Sequence, residues 1–421
     1  MADFARSTNP QVQAQLDRLS KLSPAGDRLG LERIAALLQE LGRPQDRLPP
    51  VFHVAGTNGK GSVCAFLRAG LEAAGHEVHV FTSPHLVRFN ERIRIAGRLI
   101  GDGELADLLT EVLDSSSGIE PSFFEVATAV AFLAFARTPA GACILEVGLG
   151  GRLDATNVIE KPAVCGIAGL GLDHQSFLGD DLLSIAREKA GIAKRGVPLV
   201  SLDYSDDVAE VIAESARDAG AQLFPALRRW HYGVANERLQ YRDDEGALTV
   251  PIPTLEGPHQ VANCALALAM LRHQAALDVP VAALERMPLE AAWPARFQRL
   301  RPGPLADEAA TWVDGAHNPE AAAALADTMA AHGPMHLVFG ILANKDAQAI
   351  IEALAPQALS MTFVPVGDHP YHDPEQLAER FGGRAASSLK EALADIPEPR
   401  LIAGSLYLAG EALAENGETP D

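Results

Sequence analysis

The sequence is poor in cysteine and in positive charge, and it has no long apolar run. Its 421 residues include four cysteines, at positions 64, 143, 165 and 264. None forms a Cys-x-x-Cys pair, and each stands in an apolar context. We therefore expect buried free thiols in a reducing compartment, rather than disulfides or a zinc site.

Basic residues are outnumbered, with 35 Lys and Arg against 55 Asp and Glu, which gives a formal net charge of −20. This balance argues against general nucleic-acid binding, which depends on a basic surface. A polyphosphate ligand would have to be attracted locally, by backbone amides, Lys, Arg or a divalent metal ion. No apolar stretch reaches the roughly 20 residues of a membrane-spanning helix. The first 20 residues are polar and lack a secretory apolar segment, so we expect a cytoplasmic protein without a membrane partner.

What the chain does contain is a regular alternation of strand and helix patterns from about residue 30. The run "PVFHVAG" is short and β-rich, and the following "SVCAFLRAGLEAAG" has helical periodicity and ends in glycine. Such alternation predicts an α/β protein whose parallel sheet is covered on both faces. Ligands of these sheets bind beyond the carboxyl ends of the strands.

The length favours two domains, because it exceeds what one hydrophobic core normally supports. Short alternating strands around a charged turn predict a β-hairpin insert near residues 222–253. The segment 287–304, "MPLEAAWPARFQRLRPGP", is rich in proline and arginine and is typical of a connection between domains. After it the strand-then-helix rhythm returns, which predicts a second, smaller α/β domain.

The stretch "VFHVAGTNGKGSV", residues 51–63, has the strand–loop–helix context of a phosphate-binding loop. Its glycines let successive amides turn inward, the helix N-terminus adds partial positive charge, and Lys60 can reach the outer phosphates. The usual form, G-x-x-x-x-G-K-[ST], is not met, since Val54 replaces the first glycine and Gly61 precedes Ser62. The alternative is a tight turn with an incidental lysine.

Two further stretches place polar residues at predicted strand ends. In residues 81–97, "FTSPHLVRFNERIRIAG", Ser83 and His85 could hold a metal or a substrate, although the segment could equally be a solvated charged loop. In residues 144–157, "ILEVGLGGRLDATN", Glu146 follows apolar residues inside a strand, where an unpaired carboxylate is unfavourable. Mg²⁺ bound to phosphates is the simplest partner, and an ion pair with Arg152 is the alternative.

Two more stretches are ambiguous on residue chemistry alone. A strand ends at Asp173-His174 and a helix then carries Lys189, but a lone histidine is most often structural and a helical lysine most often exposed. In "VDGAHNP", Asp314, His317 and Asn318 follow the first strand of the second domain, where polar residues cap a helix or contact a ligand.

Together and in this order, these stretches resemble the folylpolyglutamate synthase/dihydrofolate synthase family, which is related to the Mur ligases of cell-wall synthesis. The resemblance covers nearly the whole chain through "LGLERI", "VAGTNGKGS", "TSPHLVRFNERIRI", "SFFE", "LEVGLGGRLDATN", "IAREKAGI", "WPARFQ", "DGAHNP" and "AGSLYL". The extra glycine of the loop is this family's form. The resemblance implies a Mur ligase-like α/β fold, with an N-terminal P-loop ATPase-type domain at 1–292, a linker at 293–298 and a smaller Rossmann-like glutamate-ligase domain at 299–421.

The resemblance also implies an ATP and metal site, by matching the family's motifs position by position. ATP would be held by Asn58, Gly59, Lys60, Gly61, Ser62, Gln260, Arg296, Asp314 and His317. Magnesium, in two ions, would be ligated by Ser83, Glu146, His174 and Lys189, of which the lysine would carry a CO₂-derived carbamate. Lys60, Lys189, His174 and Glu146 would form the catalytic group.

The implied reaction is the addition of L-glutamate to dihydropteroate or folates through an acyl phosphate made from ATP. The pterin end of the substrate would lie near Lys21, Leu22, Ser23, Pro24, Ser122, Phe123, Phe124, Glu125 and Asp154. The family expectation is a monomer. Two alternatives stay open at this point: a Mur-type ligase that acts on a nucleotide sugar, and a nucleotide-binding regulatory protein without ligase activity.

Overall fold

The computed structural model describes residues 5–22, 29–306, 308 and 310–420. The chain forms two compact units. The first contains the residues up to Thr254 together with Val261–Ala292, and the second contains Leu255–Gln260 and Trp293–Pro420. Within the described ranges, no helix combines the length and the apolarity that crossing a membrane requires.

The first unit is built on an eight-stranded sheet whose order is β4-β3-β2-β5-β1-β6-β7-β8. Strands β2, β5, β1, β6, β7 and β8 pair in parallel, whereas β3 and β4 form an antiparallel edge. This is the mostly parallel sheet that the alternating pattern predicts. The strands are β1 Val51–Ala55, β2 Val78–Phe81, β3 Ile93–Ile95, β4 Arg98–Leu99, β5 Ala142–Glu146, β6 Val164–Ile167, β7 Pro198–Ser201 and β8 Gln222–Pro225.

Ten helices accompany these strands along the described chain, and their apolar residues enclose the sheet. They are α1 Pro10–Leu22, α2 Glu32–Glu40, α3 Lys60–Ala73, α4 Asp102–Asp114, α5 Phe123–Arg137, α6 Gln175–Leu178, α7 Leu182–Ala190, α8 Asp206–Ala219, α9 Pro258–His273 and α10 Val281–Glu290. Helices α1, α2, α4 and α5 share one buried apolar cluster, and α7 and α8 share another with β6 and β7. Helix α5 is buried on nearly every side, which explains its almost uninterrupted apolar sequence.

The expected hairpin insert is present in a different form. Residues 231–251 form a three-stranded antiparallel sheet from β9 His231–Ala235, β10 Arg238–Asp243 and β11 Gly246–Pro251. Gln222–Pro225 does not belong to it, because this segment pairs in parallel with β7 as the last strand of the main sheet. The four cysteines are free and buried, as predicted.

The second unit has a six-stranded sheet of order β12-β13-β17-β14-β15-β16, parallel except for β12. Its strands are β12 Gln298–Arg299, β13 Thr311–Val313, β14 Met335–Phe339, β15 Ala358–Phe363, β16 Arg384–Ala385 and β17 Arg400–Ala403. Its helices are α11 Pro319–His332, α12 Ala347–Leu354, α13 Pro374–Phe381, α14 Leu389–Ala394 and α15 Leu406–Glu415. The second α/β region that the sequence predicts is therefore confirmed. The predicted connection contributes its first residues to α10, and Trp293 begins the longer of the two segments of the second unit.

Candidate active site

Four neighbouring strands of the main sheet, β2, β5, β1 and β6, end at the same edge. The glycine loop follows β1, Ser83 follows β2, Glu146 is the last residue of β5, and Asp173-His174 follows β6. Sequence positions that are more than 100 residues apart are thus brought together because parallel strands align their carboxyl ends.

Glycine is required at two positions of the loop. Gly56 has a φ of +151°, and a Cβ there would lie 2.9 Å from Cβ of Ala168. Gly59 has a φ of +85° at the start of α3, where a Cβ would lie 2.4 Å from a side-chain oxygen of Asn263. Both φ values are rarely adopted by residues with a side chain. The backbone path of the loop therefore requires glycine at these two positions.

The amides of the loop divide into two groups. The N–H groups of Thr57 and Asn58 donate to the carbonyl oxygen of Gly169, at 2.8 and 3.0 Å, and so fix the loop against the end of β6. The N–H groups of Lys60, Gly61 and Ser62, in the first turn of α3, have no acceptor within their own helix. Together with the helix dipole they make this end of α3 a site for an anion. The Ser62 hydroxyl is buried and its oxygen has no hydrogen-bond partner, which suits an additional ligand.

Glu146 is 4% exposed, and its carboxylate is held from two sides. Oε2 accepts a hydrogen bond from the backbone N–H of Ser83 over 3.1 Å. Oε1 lies 4.0 Å from Nζ of Lys60, which also donates to the carbonyl oxygen of Thr57 over 3.3 Å. The alternative of an ion pair with Arg152 is wrong, since that guanidinium contacts Glu188 instead, at 2.8 Å.

Lys189 is buried, which departs from the usual exposure of a helical lysine. Only 4% of the residue is exposed, and Nζ donates to the carbonyl oxygen of Gly56 in the phosphate loop over 2.9 Å. Burial, together with the nearby positive charge of Lys60, lowers its pKa to about 7. A substantial fraction of the amine is therefore neutral near physiological pH, which is unusual for a lysine.

The position of Lys189 depends on two glycines that let the end of α7 lie against the loop after β5. A Cβ on Gly151 would lie 2.7 Å from the carbonyl oxygen of Glu188 and 2.9 Å from that of Lys189. A Cβ on Gly191 would lie 2.3 Å from Cβ of Arg152. The backbone N–H of Arg152 also donates to the carbonyl oxygen of Glu188, over 2.8 Å. The glycine cluster thus serves a close backbone approach.

We expect Gly151→Ala to reduce turnover at least about tenfold, because the added methyl overlaps backbone atoms and must displace the helix end that carries Lys189. The measurement is turnover at saturating substrates, beside a thermal unfolding curve. Gly103→Ala is the matched control, since a Cβ there meets no atom within 4 Å. A Gly151→Ala enzyme with normal turnover would show that the close approach is not needed for activity.

The predicted metal ligands are Ser83, Glu146, His174 and Lys189, and they include one carboxylate and one imidazole. Among the described residues, no group of three or more His, Cys, Asp or Glu side chains is arranged to hold a metal ion. The backbone of His174 has a φ of +53°, and its N–H donates to Oδ1 of Asp173 over 2.8 Å. A divalent ion at this edge would therefore need oxygen ligands beyond these side chains, such as those of phosphates. The unpartnered Ser62 hydroxyl fits such an arrangement.

The segment after Ser83 is not the solvated charged loop that was the alternative. Arg92 is 2% exposed, its guanidinium lies 5.5 Å from the ring centres of both Phe89 and Phe123, and its Nε donates to Nδ1 of His85 over 2.9 Å. The Glu91 carboxylate accepts three hydrogen bonds from the backbone amides of residues 86–88. These side chains hold the loop in one shape.

The "SFFE" motif forms the start of α5 as a capping box. The N–H of Glu125 donates to the Ser122 hydroxyl over 3.2 Å, and the N–H of Ser122 donates to the Glu125 carboxylate over 2.6 Å. The same carboxylate pairs with Arg33 at 3.0 Å. The ring of Phe124 lies against Gly148, where a Cβ would be 2.4 Å from the ring.

Asp154 is 3% exposed, and both of its carboxylate oxygens accept hydrogen bonds from nearby residues. Oδ2 accepts from the N–H of Leu149 over 2.8 Å, and Oδ1 accepts from Thr156. The structure therefore brings Asp154 and Phe124 to the same glycine loop. Of the other predicted pterin residues, Lys21 is exposed in the last turn of α1. Ser23, Pro24 and the side chain of Leu22 lie outside the described residues.

In the second unit, Asp314 follows β13 and accepts hydrogen bonds from the N–H groups of Phe297 and Ala316, each over 2.8 Å. Asn318 caps α11 by accepting from the N–H of Ala321, so the helix-cap interpretation holds for this residue. Nδ1 of His317 is 2.8 Å from the carbonyl oxygen of Gly315.

Arg296 lies in a strained turn of the second unit. The residues on either side of it, Ala295 and Phe297, have φ values of +53° and +44°. Non-glycine residues in this region are uncommon, and they cluster at functional sites. Gln260 is 1% exposed, and its amide nitrogen is 3.2 Å from Nε2 of His259.

Comparison with known proteins gives a consistent result. Residues 295–405 match the family model described as the glutamate ligase domain of Mur ligases. The chain is 36% identical over 356 residues to the dihydrofolate synthase/folylpolyglutamate synthase of Bacillus subtilis. The aligned region covers 80% of this chain and 81% of the relative.

Two solved structures are similar over almost their whole length. One is E. coli FolC in complex with DHPP and ADP, with a TM-score of 0.87, 32% identity and 97% of each chain covered. The other is a bifunctional folylpolyglutamate synthase/dihydrofolate synthase with Mn, AMPPNP and L-glutamate bound. Its TM-score is 0.85 at 33% identity, with 98% of this chain and 99% of that chain covered. These similarities favour the folate enzymes over the nucleotide-sugar ligases.

Proposed function

The chain belongs to the dihydrofolate synthase/folylpolyglutamate synthase family, and on that premise we propose how it uses ATP to join L-glutamate to a folate substrate. ATP would phosphorylate a substrate carboxylate, and the amine of glutamate would then attack the acyl phosphate to give an amide, ADP and phosphate. Both dihydropteroate and tetrahydrofolate chains are proposed substrates. The observation that carries the proposal is the meeting of the glycine loop, Glu146 and a buried Lys189 at one sheet edge.

The phosphate loop supplies the positive potential that this strongly anionic protein otherwise lacks. ATP and the substrate carboxylate are both anions and repel each other. Charge neutralisation and in-line positioning are therefore the main ways in which the enzyme lowers the barrier to reaction. The loop from Asn58 to Ser62 would hold the outer phosphates through the backbone N–H groups at the start of α3, and Lys60 would add a point charge where negative charge develops.

The donor set supports divalent metal, for which we propose two magnesium ions. Ser83, Glu146, His174 and Lys189 would hold them, with Lys189 carrying a carbamate. A bound divalent ion would neutralise phosphate charge and orient the transferring group. The lowered pKa of Lys189 supports the carbamate, because only the neutral amine reacts with CO₂. The carbamate would convert a buried cation into an anion beside the Gly56 carbonyl.

The remaining roles are assigned by motif. Ser122 to Glu125 and Asp154, with Lys21 to Pro24, would surround the pterin ring, and Phe124 offers an aromatic face beside Gly148. By the same motif match, Gln260, Arg296, Asp314 and His317 are proposed as ATP contacts. We propose residues 1–292 as the ATP-binding domain, 293–298 as a linker and 299–421 as the glutamate-ligase domain. The free thiols support a reducing compartment such as the cytosol, and we propose a monomer.

The test is a coupled assay of ADP release by the purified protein with Mg²⁺. We expect release only when L-glutamate and either dihydropteroate or tetrahydrofolate are both present, with mass spectrometry showing one added glutamate in the product. Comparing the two pterin substrates decides whether the enzyme is bifunctional. ADP release that does not depend on glutamate or on the pterin substrate would contradict the proposed ligase activity and favour a simple nucleotide hydrolase or regulatory protein.

A further inference from the structure

The imidazole of His53 lies inside β1 and is completely buried. Its Nε2 atom is 2.8 Å from the hydroxyl oxygen of Thr156. That hydroxyl in turn donates to Oδ1 of Asp154 over 2.5 Å. We call this line of hydrogen bonds the His53 relay. It joins the strand that leads into the glycine loop to Asp154 of the proposed pterin site, and its first hydrogen bond connects residues 103 positions apart.

The directions of the hydrogen bonds follow from the proton count. A hydroxyl group has a single proton, and that of Thr156 is donated to Asp154. The same oxygen must then accept from His53, which places the imidazole proton on Nε2. Burial lowers the pKa of His53 to about 3, so the ring is neutral. The other ring nitrogen, Nδ1, is buried without a hydrogen-bond partner.

At the far end of the relay, the Asp154 carboxylate anchors the backbone that faces Phe124. Oδ1 also accepts from the N–H of Thr156 over 3.0 Å, and Oδ2 accepts from the N–H of Leu149 over 2.8 Å. Gly148, the residue before Leu149, is the one on which the Phe124 ring lies. The orientation of one buried carboxylate therefore sets the shape of this loop.

A plain core role for His53 explains the structure less well. His79, a buried histidine on β2, has partners for both ring nitrogens, the carbonyl oxygen of Thr138 at 3.0 Å and the N–H of Ala96 at 3.1 Å. His53 satisfies one nitrogen and leaves the other unpaired, which is unfavourable for a residue that only fills space. Its single hydrogen bond is directed at Thr156 and, through it, at Asp154.

We infer that His53 and Thr156 are positioning residues for the pterin end of the substrate, acting by fixing the orientation of Asp154 and the Gly148–Leu149 backbone. This inference rests on the proposed function. It assigns a role in substrate recognition to a residue inside β1, which no sequence pattern singles out.

The test compares Michaelis constants for dihydropteroate and for ATP in matched variants. His53→Leu is expected to raise the KM for dihydropteroate about tenfold while the KM for ATP stays within about twofold, because a directed hydrogen bond is lost. His53→Gln can place an amide N–H near the position of Nε2 and should recover most of the loss. Thr156→Val should reproduce the effect, and adding His53→Leu to it should change nothing further.

His79→Leu is the matched control, because it also replaces a completely buried histidine, on strand β2 of the same sheet. It should lower the thermal midpoint without changing the KM for dihydropteroate selectively. The inference is overturned if His53→Leu leaves that KM unchanged, or if His79→Leu raises it equally. A wild-type protein without ligase turnover contradicts the proposed function instead. In that case the ¹⁵N chemical shifts of His53 still test the relay, because they show which ring nitrogen carries the proton. A proton on Nδ1 overturns the inference.

Discussion

Lys60→Ala is expected to fold normally and to lose about 100-fold to 1000-fold in turnover, which is the usual effect of removing one charge that stabilises a transition state. Nζ of Lys60 lies 4.0 Å from Glu146 and donates to the Thr57 carbonyl, within the loop whose amides would bind phosphate. Without the ammonium, two anionic reactants meet beside a buried carboxylate in a protein with a net charge of −20. The measurement is kcat for ADP release at saturating ATP, glutamate and dihydropteroate.

A second substitution separates charge from volume at this position. Lys60→Met keeps most of the length of the side chain and removes only the ammonium, so it should lose as much turnover as Lys60→Ala. Circular dichroism and thermal unfolding of both variants check that the fold persists. Turnover close to that of the wild type in a folded Lys60→Met enzyme would refute the assignment of this loop as the phosphate site.

Lys189→Ala is expected to reduce turnover by a similar factor, with partial rescue by added short carboxylic acids such as acetate. The substitution removes the amine that would carry the carbamate and opens a space beside the Gly56 carbonyl, where a small carboxylate can supply the missing oxygen atoms. Because protonation of the amine competes with CO₂, carbamate in the wild type should decrease as the pH falls below about 7. Carbon NMR with ¹³C-labelled bicarbonate measures it directly.

Lys194→Ala is the matched control for Lys189. It lies five residues further along, its pKa is also lowered by burial, and its Nζ donates to a backbone carbonyl, that of Asn157, over 3.0 Å. We expect near-normal turnover and no response to acetate. Full activity of Lys189→Ala without any added acid would mean that the carbamate is dispensable here.

Much of the fold follows from local patterns in the sequence. Strand–helix alternation predicts both α/β regions because a strand's apolar run and a helix's apolar stripe are set within a few residues. The sequence predicts Gln222–Pro225 as part of the hairpin insert instead, whereas this strand lies at the edge of the main sheet and has no fully buried residue. Its parallel pairing with β7 depends on α8 returning the chain to the same sheet.

The candidate site was predictable to the extent that single positions carry unusual chemistry. A glycine loop with Lys60 and a carboxylate inside a strand, Glu146, are each conspicuous in the sequence. The residue that approaches Glu146 was not predictable, because Arg152 was nearer in sequence but turns to Glu188. The burial of Arg92 between two phenylalanine rings is not evident from the sequence, since a charged run normally indicates solvent exposure.

By itself, the sequence determined that this chain has a glycine loop with Lys60 at the end of a buried strand and polar residues at the ends of the neighbouring strands, because each of these features lies within a few adjacent residues. Only the tertiary structure decided the chemistry of Lys189 and the partner of His53. Lys189 meets the Gly56 carbonyl across 133 positions of sequence, and its pKa is lowered to about 7 by burial and by the nearby charge of Lys60. Desolvation and directed hydrogen bonds depend on how segments that are distant in sequence pack together. Local sequence patterns therefore do not predict them.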